Sequence, residues 1–106
     1  MTWLTLPELV EATGEPLGRV RRYLDEQYLL GSRRDGPLKV PAAFLVDGQP
    51  LSSLRGTVIV LRDRGFSYDE AIDWLFAPEE SIGRSPIEAL LAGHKSEVRR
   101  VAQSLG

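Results

Sequence analysis

Six cations crowd into one short stretch, "GRVRRYLDEQYLLGSRRDGPLKV", residues 18–40: Arg19, Arg21, Arg22, Arg33, Arg34 and Lys39. A guanidinium offers a planar fork of donors that matches phosphate oxygens and the major-groove edge of guanine, and an ammonium acts as a point charge on phosphate. The whole chain is nevertheless mildly acidic, with 13 basic and 15 acidic residues over 106 positions. A protein that coats nucleic acid indiscriminately is therefore excluded, whereas a local basic footprint is not. Residues 17–40 set these six cations against only Asp25, Glu26 and Asp35, whereas residues 41–106 hold seven basic and nine acidic residues, so the charge is unevenly spread.

Other chemistry is thin. There is no cysteine, hence no disulfide, thiol nucleophile or thiolate metal site. His94 is the single histidine. It stands beside Gly93 in an expected turn, with no nucleophile or orienting acid to make it a base, and reads as a solvent-exposed turn residue. Asp69-Glu70 and Glu79-Glu80 lack the spaced ligands and glycine of a calcium loop. No Walker motif and no G-x-G-x-x-G occurs. The chain reads as non-enzymatic, with no cofactor and no metal. No apolar run approaches the roughly 20 residues of a membrane span, and "MTWLTLPELV" has neither a basic n-region nor a cleavage pattern. A cytoplasmic location is the expectation.

The elements that must position the cations follow from local signals. "TLPE", residues 5–8, fits a capping box with Thr5 as N-cap and Glu8 reaching back. That helix should run to about Thr13 and stop at Gly14. A second helix should open at Pro16 and extend over 16–27. At 100° per residue, Leu17, Val20, Tyr23, Leu24 and Gln27 share its core side, while Arg22 points away and Arg19 and Arg21 flank it. Two short helices joined by "GEP" form a helix-turn-helix. Asp35-Gly36 predicts a type I′ hairpin with arms at about 31–34 and 37–40, a wing carrying Arg33, Arg34 and Lys39. "PAAFLV" is a short apolar element that can close the core.

"DGQPLSS", residues 47–53, is turn-rich and the best candidate boundary. Beyond it, Ser52 or Ser53 can cap "LRGTVIVLRDR", although the β-branched run "TVIV" also suits a buried strand. "SYDE" (67–70) and "SPIE" (85–88) are two more capping boxes, and "KSEVRRVAQSLG" offers a last helix. The expected fold class is α+β, mostly α: a winged helix-turn-helix domain over 1–46, then a small C-terminal helical bundle over 47–106 packed on it.

The arginine helix also admits a plainer account. Arg21 with Asp25, and Arg22 with Glu26, are i,i+4 pairs of an ordinary solvated face. Both pairs place the basic residue first, the weaker orientation, and such pairs contribute about 0–1 kcal/mol. That account leaves Arg33, Arg34 and Lys39 unexplained. The reading preferred here is double-stranded DNA as partner. In a helix-turn-helix the N-terminal part of the second helix meets the base edges. Here that part carries Gly18, Arg19, Arg21 and Arg22, with Gly18 allowing close backbone approach. Arg33, Arg34 and Lys39 would meet phosphate or the adjacent minor groove.

"LTLPELVEATGEPLGRVRRYLDEQYLL…RRDGPLKVP" resembles the winged helix-turn-helix of the MerR and excisionase superfamily, with Arg22-Tyr23 matching the recognition-helix pattern. Over nearly its whole length the chain is similar to a small actinobacterial family of winged DNA-binding proteins that includes a mycobacterial substrate of a membrane Ser/Thr kinase. "VPAAFLVDGQPLSSLRGTVIVLRDRGFSYDEAIDWLFAP" and "PIEALLAGHKSEVRRVAQ" carry that likeness. It implies sequence-selective DNA binding through Arg19–Arg22 and the wing. It also suggests kinase control at a threonine in an N-terminal tail. This chain starts almost at the first helix and Thr5 is spoken for as a cap, so phosphoregulation is not expected to carry over.

"WLFAPEESIGRSPIEALLAG" also resembles the helical domain of antitoxins of parDE-like and Xre-type systems. That implies the alternative function, an antitoxin-type module whose C-terminal helices bind a partner protein. The plainer reading makes Trp74, Leu75, Phe76, Leu90 and Leu91 core. The expected function is a DNA-binding transcriptional regulator, monomeric or weakly dimeric, since the last helix is too short for the long coiled coil of MerR-type dimers.

Overall fold

The computed structural model describes residues 1–105. They cluster into two compact units, residues 1–52 and 53–105.

In the first unit, strand β1 (Trp3–Thr5) runs directly into helix α1 (Leu6–Thr13). The predicted box closes α1: Thr5 N–H donates to Glu8 Oε1 at 2.8 Å, and Glu8 N–H donates to Thr5 Oγ1 at 3.3 Å. Gly14, at φ 70°, ends the helix in the left-handed region. Helix α2 (Leu17–Asp25) follows from Pro16, which supplies no side-chain cap.

Helix α2 is shorter than the expected 16–27. Gln27 takes φ 66°, Gln27 N–H bonds Leu24 O at 3.2 Å, and Tyr28 N–H bonds Tyr23 O at 2.8 Å. This is a Schellman stop, with glutamine where glycine is usual. Gln27 therefore ends the helix and does not continue its core face. Leu17 also departs from expectation: it is 42% exposed, while Val20 is fully buried. Leu9, Leu29, Leu30, Val40 and Phe44 are buried in this unit as well.

The wing differs from the predicted hairpin. Its base is one bridge, Ser32 to Lys39, with backbone bonds of 2.9 and 3.0 Å. Residues 33–38 form a loop, and Gly36 N–H bonds Arg33 O at 3.0 Å. Asp35 does not adopt positive φ; Gly36 alone does, at 108°. A type I′ turn needs both. The second arm continues as β2 (Lys39–Pro41), which pairs antiparallel with β1 in the register Leu4 to Val40. Pro37, lacking an N–H, cannot extend a ladder at the tip, whereas pairing with β1 places Val40 in the core.

The I′ requirement is met instead at Asp47-Gly48, at φ 51° and 77°. These residues join β3 (Leu45–Val46) to β4 (Gln49–Pro50). Glycine is doubly required at 48, because a Cβ there would stand 2.9 Å from Ala12 O. "PAAFLV" resolves into the end of β2, a 3₁₀ turn over Ala42–Phe44, and β3.

The second unit is helical: α3 (Leu54–Asp63), α4 (Tyr68–Phe76), α5 (Pro86–Leu91) and α6 (Lys95–Gln103). The "TVIV" run is helix, not strand. Its period places Leu54, Thr57, Val58 and Leu61 in the core, and that burial outweighs the β-branched preference. Both later capping boxes form. Ser67 N–H donates to Glu70 Oε1 at 2.9 Å, and Ser85 N–H donates to Glu88 Oε1 at 3.2 Å. Leu75 and Leu90 are buried as the core reading requires, but Leu91 is 48% exposed. No helix among the described residues is long and apolar enough to cross a membrane.

Candidate nucleic-acid interface

Val20 anchors α2 on one side, and the opposite side is left to solvent. Gly18, Arg21 and Arg22 fall on that outer side and are exposed. Arg22 Nε lies 3.7 Å from Glu26 Oε2, both side chains more than half exposed, so this pair restrains Arg22 weakly. The companion pair expected between Arg21 and Asp25 is not made among the described residues. Gly18 has nothing within 4 Å of where a Cβ would stand and has no positive φ. Neither packing nor backbone geometry within the chain calls for glycine there.

Arg19 sits on the flank of α2. Its guanidinium lies 5.7 Å from the Tyr23 ring centroid, and Tyr23 meets Tyr28 edge-to-face at 6.3 Å. These side chains border a cleft of about 500 Å³ whose far wall is the Asp47–Ser52 segment. This cleft is not among the sites expected from the sequence. Its signal is the Tyr23/Tyr28 pair straddling a helix stop together with the Asp47-Gly48 turn.

The wing cations differ in freedom. Arg33 is exposed and unpaired among the described residues. Arg34 folds back: its Nε and backbone N–H both donate to Ser32 Oγ, at 3.0 and 3.1 Å, and its guanidinium lies 5.4 Å from the Trp3 ring centroid. Ser32 is itself buried, so this cluster braces the base of the loop. Lys39 is half-buried in β2, between Ser32 and Thr5. Nearby, the Thr5 backbone N–H and then its hydroxyl hold the Glu8 carboxyl below the ordinary glutamate range, with a smaller contribution from the Lys39 charge.

The seven residues singled out in the sequence thus lie in one unit, on two elements, α2 and the wing. His94 is exposed, as a turn residue at the start of α6.

Two family models divide the chain between them. One, described as "DNA-binding protein Rv2175c, wHTH domain", matches residues 1–45, and the other, "Rv2175c C-terminal domain of unknown function", matches residues 51–106. The chain belongs to the Rv2175c family. DNA-binding protein Rv2175c of Mycobacterium tuberculosis is 33% identical over 113 aligned positions, spanning 94% of this chain and 77% of that relative. The NMR structure of Rv2175c matches with a TM-score of 0.87 and 32% identity, over 97% of this chain and 80% of that one. This is the actinobacterial family that the sequence resembles, and its fold is the one described above: a winged helix-turn-helix followed by a helical domain.

Proposed function

We propose that this chain is a sequence-selective double-stranded DNA-binding protein that regulates transcription. In this reading α2 enters the major groove, with Gly18, Arg19, Arg21 and Arg22 toward base edges and phosphates. The wing, through Arg33, Arg34 and Lys39, meets backbone or the adjacent minor groove. One observation carries the reading: the outer face of α2 combines exposed, at most weakly restrained arginines with a helical glycine that the free protein does not need. A DNA backbone or base edge pressed against Gly18 supplies the missing reason. The family's winged domain and the relative named a DNA-binding protein support it.

The test is titration of labelled duplex DNA with the full chain at two salt concentrations, followed by NMR shift mapping. The expected result is binding that weakens with salt and perturbs residues 16–24 and 32–40. An Arg19/Arg21/Arg22 triple alanine variant should lose at least roughly tenfold in affinity, since one bidentate base contact contributes about 1–3 kcal/mol. Equal affinity of wild type and the triple variant overturns the α2 assignment.

A second reading rests on Leu91, left exposed at the end of α5. There the second unit holds a protein partner and DNA binding is autoregulatory. Co-purification of a stable hetero-complex that a Leu91→Asp variant fails to form would favour it.

A further inference from the structure

Leu17 is an apolar side chain in a polar place. It is the first residue of α2 and is 42% exposed, although helical period alone assigns it to the core side. Leu24 lies about 20° from it around the helix and Arg21 about 40° on the other side. Leu17 therefore stands at the border where the buried stripe gives way to the arginine face. Gly18 follows it with no side chain, so the position next to Leu17 in sequence adds no bulk on the side of that face. Pro16 precedes it without a side-chain cap, so no capping side chain covers the opening turn.

We propose that Leu17 is a specificity-determining residue that packs on the C5-methyl group of a thymine in the major groove. This rests on the DNA-binding reading above and deepens it. The major-groove edge of thymine is the one that presents a methyl group, and apolar side chains recognise it by contact. In a helix-turn-helix the first turn of the second helix is the part that reaches base edges. Arg21, one turn along, is placed to read a neighbouring guanine while Leu17 reads the methyl. The pair then selects a thymine close to a guanine, which arginines alone do not do.

The test replaces thymine by uracil, which removes that methyl and leaves the Watson–Crick edge intact. A duplex is first selected by the wild-type chain from a random-sequence library. Each thymine in it is then changed singly to uracil, and affinities are measured for wild type, Leu17→Ala and Leu17→Met. At one or two positions uracil should weaken wild type and Leu17→Met by about fourfold, the factor that about 0.8 kcal/mol for one buried methyl group corresponds to. Leu17→Ala should be insensitive to uracil at those same positions. Uracil sensitivity that is equal in wild type and Leu17→Ala at every position, or absent throughout, overturns the Leu17 assignment while leaving DNA binding intact. Failure to retain any duplex at low salt overturns the DNA-binding reading itself, and the assignment with it.

Discussion

Gly18 in α2 and Gly56 in α3 are both helical glycines, and they differ in every other respect. A Cβ on Gly56 would stand 2.5 Å from Arg99 Nη2 and 2.6 Å from its Cζ, whereas a Cβ on Gly18 would touch nothing. Behind Gly56 the Arg99 guanidinium is committed: Nη2 donates to Ser53 O at 3.1 Å and Nε to Thr57 Oγ1 at 3.4 Å. Thr57 is fully buried and donates in turn to Ser53 O at 3.0 Å. The second unit uses its arginine and glycine to close α6 on α3. The first unit leaves arginines and a glycine on an open face. One residue pairing is thus architecture in one unit and an open, solvent-facing surface in the other.

Arg99→Ala tests the contrast most severely. It strips the Ser53 carbonyl and the Thr57 hydroxyl of a charged donor, and should lower the stability of the second unit by about 1.5–3 kcal/mol. Denaturant unfolding followed by Trp74 fluorescence in a Trp3→Phe background reads that unit alone. Duplex affinity of the folded protein should not change. Arg22→Ala should do the reverse. It should weaken binding to a selected duplex by about 1–3 kcal/mol, with stability within about 0.5 kcal/mol of wild type. A large stability loss from Arg22→Ala would erase the distinction between the two arginine settings.

The glycines sharpen it further. Gly18→Ala should raise stability by about 0.5–1 kcal/mol, the usual gain at an unstrained helical site, while weakening duplex binding. Gly56→Ala should fail to show that gain and lower stability, because the added methyl displaces a guanidinium held by two hydrogen bonds. Equal stabilisation by both substitutions would show that Arg99 moves aside freely.

The smallest effect separates the helix starts. Glu8 and Glu70 are held below the ordinary glutamate range chiefly by the backbone N–H groups of Thr5 and Ser67. For Glu88 the Ser85 hydroxyl comes first and its backbone N–H second. Each carboxyl has a lower pKa folded than unfolded. Its stabilisation is therefore complete above the unfolded value, about 4.3, and is lost as pH falls through the folded value. Acid titration should fray α1, α4 and α5 at their first turns and leave the opening turn of α2, which has no such box, unaffected. Amide NMR shifts against pH would show this, and Glu8→Gln should remove the acid response of α1 alone.

Sequence by itself determined three helix starts and one helix stop. Three capping boxes and the Gly14 stop stand where "TLPE", "SYDE", "SPIE" and glycine place them, because their hydrogen bonds span three or four residues. The separation of Val20 from Arg22 on α2 was legible for the same reason, since helical period is a local property. Tertiary structure decided the rest. Two Asp-Gly pairs carry the same hairpin signal, and only pairing partners distinguish them. Lys39–Pro41 finds β1, far away in sequence, and the I′ turn falls at Asp47-Gly48, where Ala12 O closes on the glycine. The "TVIV" run is helix because its neighbours bury one face of it. Arg34 and Arg99 look like any other arginines in the sequence. Whether a guanidinium turns inward to Trp3 or to Ser53, or stays outside as on α2, depends on acceptors and rings that the chain brings up only when it folds.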